Sequence, residues 1–252
     1  MYRVVLIDDE KLIVDGLARV IRWEDYNCEV VGKAYDAESG AATIRSLKPH
    51  IVFTDIKMPD RDGLSMLAGL KSEFPEMQIA VLTGYRDFNY AQEAIKLGVA
   101  RFLLKPSRMD ELNEALRVMK ERLDRLAPDE GAAADDGTAD ERKLAASFTV
   151  NNAKAYIETH YMEKLTLQDV ADKCYVSQWH LSKLINKYTG SSFYELLNSV
   201  RIDRAKAFLA DPRLKIGDIV ELVGFSDAAH FARVFKRTVG MSANEYRNSL
   251  KK

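Results

Sequence analysis

The chain has only two cysteines in 252 residues, Cys28 and Cys174, far apart and in no C-x-x-C pair. That argues against a disulfide framework and a zinc knuckle, and predicts a reducing cytoplasmic setting. No apolar run approaches the roughly eighteen residues that a membrane-crossing helix needs. The opening MYRVVLIDDE holds four consecutive apolar residues and no small-residue cleavage site, so neither a signal peptide nor a membrane partner is expected. Net charge is nearly absent as well, 37 basic against 38 acidic residues, and informs only when divided along the chain. It is −2 over residues 1–126, −4 over 127–147 and +5 over 148–252, which together make the overall −1. The basic C-terminal part is expected to meet a polyanion. The length suits two domains, each with its own core.

What is present divides in the same way. Residues 1–107 carry five short apolar runs, RVVLI at 3–7, EVVGKA at 29–34, IVFT at 51–54, IAVLT at 79–83 and RFLL at 101–104. Helical spacing lies between them, as at Met66, Leu67 and Leu70. Near-continuous apolar strands alternating with helices predict a parallel sheet covered on both faces. Residues 126–143, LAPDEGAAADDGTADERK, carry no large apolar side chain after Leu126 and are expected to form a flexible acidic linker. Beyond the linker only helical patterns remain.

Polar groups end four of the strands. Asp8 and Asp9 follow the first, Asp55 the third, Thr83 the fourth and Lys105 the fifth. A carboxylate at the end of a buried strand is costly unless it is used or neutralised. With strand order 2-1-3-4-5 the three aspartates converge on one edge, where their mutual repulsion suits a divalent cation held by oxygen ligands, namely Mg²⁺. Lys105 and Thr83 would complete a cradle for a phosphoryl group, with Asp55 as the nucleophile. Singly, each aspartate is as well explained as a helix cap or a turn residue. The five together favour a site.

LIDDE, VFTDIKMPDRDG, VLTGY and FLLKP resemble, in order and spacing, the receiver domain of two-component response regulators, over residues 1 to about 122. The resemblance implies a flavodoxin-like fold with sheet order 2-1-3-4-5. It also implies that Asp55 accepts phosphate from a sensor histidine kinase and that Asp8, Asp9, Asp55 and the Lys57 backbone carbonyl hold Mg²⁺. Thr83 and Lys105 would sense the phosphate, Phe102 would be the aromatic switch, and Lys105-Pro106 would be cis. Lys57 and Tyr85, each two residues beyond a site residue, flank the line along which water would attack. Haloacid-dehalogenase-like phosphatases place a second aspartate two residues after the nucleophile. Lys57 stands there instead, which argues against an enzyme.

The C-terminal part repeats itself about every fifty residues. LTLQDVADKCYVSQWH from Leu165 aligns with LKIGDIVELVGFSDAAH from Leu214, pairing Asp169 with Asp218 and, after one inserted residue, His180 with His230. Each copy reads as a helix-turn-helix. With NSVRIDRAKAFL and the ending EYR, residues 150–248 resemble the DNA-binding domain of the arabinose-regulator (AraC) family. The expected domains are therefore a receiver at 1–122, a helical extension and acidic linker at 123–147, and an all-α double helix-turn-helix domain at 148–252. On the first reading helix Leu181, Leu184 and Ile185 should be core, leaving Trp179, Ser182, Lys183 and Asn186 to meet bases. On the second, Phe231, Val234 and Phe235 should be core, with Ala228, Ala229, His230, Ala232 and Arg233 outward. Lys187, Lys236 and Arg237 would take phosphates. Ala228, Ala229, His230 and Ala243 depart from the family pattern, so the second helix is expected to add more affinity than discrimination.

The resemblance implies a transcription factor controlled by phosphorylation, with double-stranded DNA and RNA polymerase as partners. This subfamily is often linked to carbohydrate use. The alternative is a DNA-binding protein whose receiver serves only as a dimerisation or ligand module. Leu112, Leu116, Met119, Leu123 and Leu126 follow the 4-3-4-3 spacing of a coiled-coil seam. The first three should pack on the receiver's own sheet, whereas Leu123 and Leu126 are expected to pair with a second copy in a homodimer formed on phosphorylation.

Overall fold

The runs at the start of the chain become strands because they are dense in Val, Ile, Leu and Phe and too short for a buried helix. In the computed structural model, which describes residues 1–58, 63–84, 88–126 and 136–250, they are β1 (Tyr2–Ile7), β2 (Cys28–Ala34), β3 (Ile51–Thr54), β4 (Gln78–Thr83) and β5 (Arg101–Leu104). They form one parallel sheet in the order β2-β1-β3-β4-β5, as expected from the resemblance. β3 and β4 are buried at every position, which a strand covered on both faces requires.

Five helices cover the sheet: α1 (Lys11–Val20), α2 (Ala37–Leu47), α3 (Gly63–Glu73), α4 (Phe88–Lys96) and α5 (Met109–Leu126). Alternate strand residues point to opposite faces. Val4, Leu6, Phe53 and Leu82 therefore pack with Val14 of α1 and Leu112, Leu116 and Met119 of α5. Val5, Ile7, Val52, Ile79 and Val81 pack with Ile44, Met66, Leu67 and Ala94 on the other side. Leu123 belongs to the first of these cores and is 7% exposed, while Leu126 is 42% exposed. The expected two-residue seam is thus corrected: α5 lies on its own sheet one turn further than expected, and Leu123 is spent inside the molecule.

The end of α3 holds a charge deep in the fold. Lys71 is 5% exposed and its ammonium donates to the Pro75 and Met77 carbonyls at 3.1 and 3.2 Å. Burial, only partly offset by the nearby Glu141 carboxylate, brings its pKa from 10.5 down to about 8. Below pH 8 folded and unfolded chains both hold this proton. Between about 8 and 10.5 only the unfolded chain does, so stability rises with pH across that window, by on the order of 3 kcal/mol. Urea unfolding at pH 7 and pH 10 should show this gain in the wild-type chain and a smaller one in Lys71→Met.

The expected flexible linker is corrected in part. Residues 127–135 lie outside those described, but α6 (Asp136–His160) is helical from Asp136 onward and runs through the boundary expected near residue 148. Its composition misleads. The acidic residues suggest a solvated coil, yet Ala, Glu, Arg, Lys and Leu are strong helix formers, and Ala146, Thr149, Val150, Ala153 and Ile157 form a buried stripe at helical spacing.

The chain divides into two compact units, Met1–Thr149 with Cys174–Val176, and Val150–Lys173 with Ser177–Lys252. The second is all helical among its described residues, with α7 (Leu167–Lys173), α8 (Gln178–Thr189), α9 (Phe193–Leu209), α10 (Ile216–Leu222), α11 (Ala228–Val239) and α12 (Ala243–Ser249). α9 is its spine, packing with Ile219, Val223, Phe231 and Phe235 through Ile202, Ala205 and Leu209.

The sequence repeat is also a conformational repeat. Tyr175 and Gly224 occupy the same register, six residues after Asp169 and Asp218, and both have positive φ, 53° and 80°. In the second copy a Cβ at Gly224 would stand 2.6 Å from the Tyr161 carbonyl oxygen, so glycine is required there on two counts. The reading helices start on side-chain caps: Ser177 accepts from the His180 N–H, and Asp227 from the Ala229 and His230 N–H groups. The inserted residue of the second copy is Asp227, and it supplies the cap.

Candidate functional site

Parallel register brings the strand-end carboxylates together. Ile7 of β1 stands opposite Thr54 of β3, so Asp8 and Asp55 leave the sheet side by side. Ligand oxygens of Asp8, Asp9 and Asp55 lie within 4.8 Å of one another. Asp8 and Asp55 are 2% and 5% exposed, and Asp9 is open to solvent. Lys105, just beyond β5, places its ammonium 2.7 Å from Asp8 Oδ2 and 2.8 Å from Asp55 Oδ2. Its peptide bond to Pro106 is cis.

The backbone shapes the rest. Lys57 N–H donates to Asp55 Oδ1 at 2.9 Å, and Glu10 N–H to Asp8 Oδ1 at 3.0 Å. Burial pushes the Asp8 carboxyl up, against the hydrogen bonds from Lys105 and the Glu10 N–H. Burial also works against the Lys105 ammonium, but its bonds to Asp55 and Asp8 prevail and hold its pKa above the ordinary lysine value. A buried carboxylate pair facing one ammonium has an excess of negative charge. Oxygen-only donors and that excess fit a hard divalent cation.

Thr83 ends β4 and is 1% exposed, and Phe102 in β5 is half-buried against the second sheet-face core. Tyr85 lies outside the described residues. One neighbour escaped the sequence reading: the Glu10 carboxylate is 3.5 Å from Lys105 Nζ and exposed. The third acid of LIDDE was its signal. A cleft of about 500 Å³, lined by Tyr2, His50, Phe74, Met77, Leu123 and Leu126, opens at the opposite, amino ends of the strands. It is not where these carboxylates act.

In the second unit the two reading helices divide as their spacing predicts. Leu181, Leu184 and Ile185 of α8 are buried, while Trp179, Ser182, Lys183, Asn186 and Lys187 are exposed. On α11 Phe231, Val234 and Phe235 are buried, and Ala228, Ala229, His230, Ala232, Arg233, Lys236 and Arg237 are exposed. The His230 ring meets the Phe225 edge at 5.5 Å, so part of it is occupied within the fold. Lys236 and Arg237 are near acidic caps. Bonds from Ser242 and Ser192 hold the Glu245 and Glu195 carboxyls low, and the two cations add to that. Any phosphate must compete with those carboxylates.

Comparison with known proteins agrees with this two-part layout. Residues 4–117 match the response regulator receiver domain, and residues 170–249 match a helix-turn-helix domain of the AraC type. An uncharacterized response regulatory protein of Staphylococcus epidermidis is 31% identical over 254 residues, covering 100% of both chains. The transcriptional regulatory protein HptR of Staphylococcus aureus is 28% identical over 250 residues, 98% of each chain. The receiver domain of AraT, a response regulator from Geobacillus stearothermophilus, is 35% identical with a TM-score of 0.48, covering 50% of this chain and 98% of that one. No helix among the described residues is long and apolar enough to cross a membrane. Full-length similarity, the matched domains and the sheet order together make this chain a member of the response-regulator family, a transcriptional regulator that joins a receiver to an AraC-type helix-turn-helix domain.

Proposed function

We propose that phosphorylation of Asp55 by a sensor histidine kinase controls sequence-specific binding of this regulator to double-stranded DNA. The observation that carries the reading is the convergence of Asp8, Asp9 and Asp55 around a shared ammonium from Lys105. In it residues 1–122 are the phosphoacceptor domain, 148–252 the DNA-binding domain, and 123–147 the connection. Asp8, Asp9, Asp55 and the Lys57 carbonyl would hold Mg²⁺, which supplies charge neutralisation for the incoming phosphoryl oxygens. Asp55 presents its carboxylate oxygen, Lys105 follows the phosphoryl group, and Thr83 donates to it while Phe102 changes position. Incubation with a small acyl phosphate should label the chain in Mg²⁺ and fail to label it in excess chelator. Equal labelling in both conditions would remove the metal from the site.

For the second domain, Trp179, Ser182, Lys183, Asn186, Ala229, His230 and Arg233 are proposed at base edges, and Lys187, Lys236 and Arg237 at phosphates. Lys236→Ala should weaken specific and non-specific binding alike and lower the salt slope of log K by about one. A salt titration of a selected duplex against a random one would sink this assignment if the slope were unchanged. Pairing of two chains on phosphorylation would bring two basic domains onto neighbouring half-sites. With Leu123 in the core, the face of α4, β5 and α5 is the better candidate interface, since Ile95 and Leu104 are exposed there. RNA polymerase as a partner, a cytoplasmic setting and target genes of carbohydrate use complete the proposal, the last resting on the subfamily alone.

A further inference from the structure

Trp179 is the most exposed aromatic of the second unit, 67% open to solvent. A large apolar ring on a reading helix has a low cost only if something limits its freedom or covers it. Lys183, four residues on and therefore on the same helix face, places its ammonium 3.8 Å from the centre of the Trp179 rings. That is a close cation–π contact. Among the described residues no carboxylate forms an ion pair with Lys183, so the indole is its placed partner. The ammonium lies over one face of the indole, and the residue as a whole stays 67% exposed beside it.

We propose that Trp179 and Lys183 act as a single reading element, in which the exposed part of the indole packs on a base that carries a methyl group in the major groove, and Lys183 is the positioning residue that holds it. The inference rests on the proposed reading of α8 as a DNA-reading helix, and it changes the role of Lys183 from a base reader to a support. Two physical effects follow. A ring already held in one rotamer loses less freedom on binding than a swinging one. A thymine methyl offers apolar contact at the groove floor that cytosine lacks and uracil lacks too. The neighbouring Ser182 and Asn186, both exposed, remain free for hydrogen bonding to adjacent base edges.

The test uses the full chain, in which the only other tryptophan, Trp23, is 7% exposed and donates its ring N–H to the Ala18 carbonyl. Acrylamide quenching without DNA therefore reports mainly on Trp179. Lys183→Ala should raise the quenching constant about twofold, the scale of an exposed contact of this kind, and Lys183→Arg should restore it because a guanidinium can stack on the ring. A duplex is then enriched from a randomised library by the wild-type chain and scanned by replacing each thymine with uracil. One position should lose about fivefold or more in affinity. That loss should vanish in Trp179→Ala and shrink in Lys183→Ala, and the double variant should match Trp179→Ala alone. Additive losses in the double variant, or unchanged quenching in Lys183→Ala, would overturn the coupling. Failure of the wild-type chain to enrich any sequence would overturn the DNA reading and this inference with it.

Discussion

Asp55→Ala should incorporate no phosphate above background from an acyl-phosphate donor while keeping the fold of the first unit. The carboxylate sits at the end of β3, 5% exposed, with one oxygen accepting from the Lys57 N–H and the other from Lys105. Removing it deletes the carboxylate proposed to accept the phosphoryl group. The remaining Asp8 still pairs with Lys105 at 2.7 Å, so no buried ammonium is stranded. Far-UV circular dichroism should therefore match the wild type. Lys105→Ala is the informative companion. Its loss leaves Asp8 and Asp55 facing one another, and a phosphoryl group would lack its cation. Labelling should slow by about 10²-fold, the scale of removing one preorganised charge-stabilising donor, and whatever label forms should no longer alter DNA binding. Wild-type labelling of the Asp55→Ala chain would dismiss the central assignment.

Leu123→Ala should destabilise the first unit by about 2–5 kcal/mol, whereas Leu126→Ala should stay within about 0.5 kcal/mol of the wild type. Leu123 packs in one core with Leu112, Leu116 and Met119, and its truncation leaves a void that α5 cannot close without leaving the sheet. Leu126, three residues later, is already 42% exposed. Urea unfolding followed through buried Trp23 would separate the two variants. Sedimentation of the phosphorylated chains gives the second comparison. If Leu123 formed a seam with another copy, its replacement would lower dimerisation and leave the unfolding midpoint of the dilute monomer in place. That outcome would restore the coiled-coil reading.

The architecture of the first unit is written in the composition and order of its residues, because both are local properties. Dense apolar runs separated by helical spacing admit few arrangements other than a covered parallel sheet. Polar residues that each follow such a run, Asp8, Asp55, Thr83 and Lys105, must then gather at one edge, whatever the details of packing. The two reading helices were legible for a related reason: Leu181, Leu184 and Ile185, or Phe231, Val234 and Phe235, divide a helix into a buried and an open face by spacing alone. Tertiary structure decided what spacing cannot carry. The interval of Leu116, Met119 and Leu123 is the same for a helix lying on its own sheet and for one lying on a second copy, so only the length over which α5 stays on the sheet assigns Leu123 to the core. Residues 136–147 read as coil by their acidic charge and became helix because buried positions further along α6 reward continuing the turn. The approach of Glu10 to Lys105 depends on rotamers and on a fold that brings the ends of distant strands together, which no one-dimensional pattern encodes.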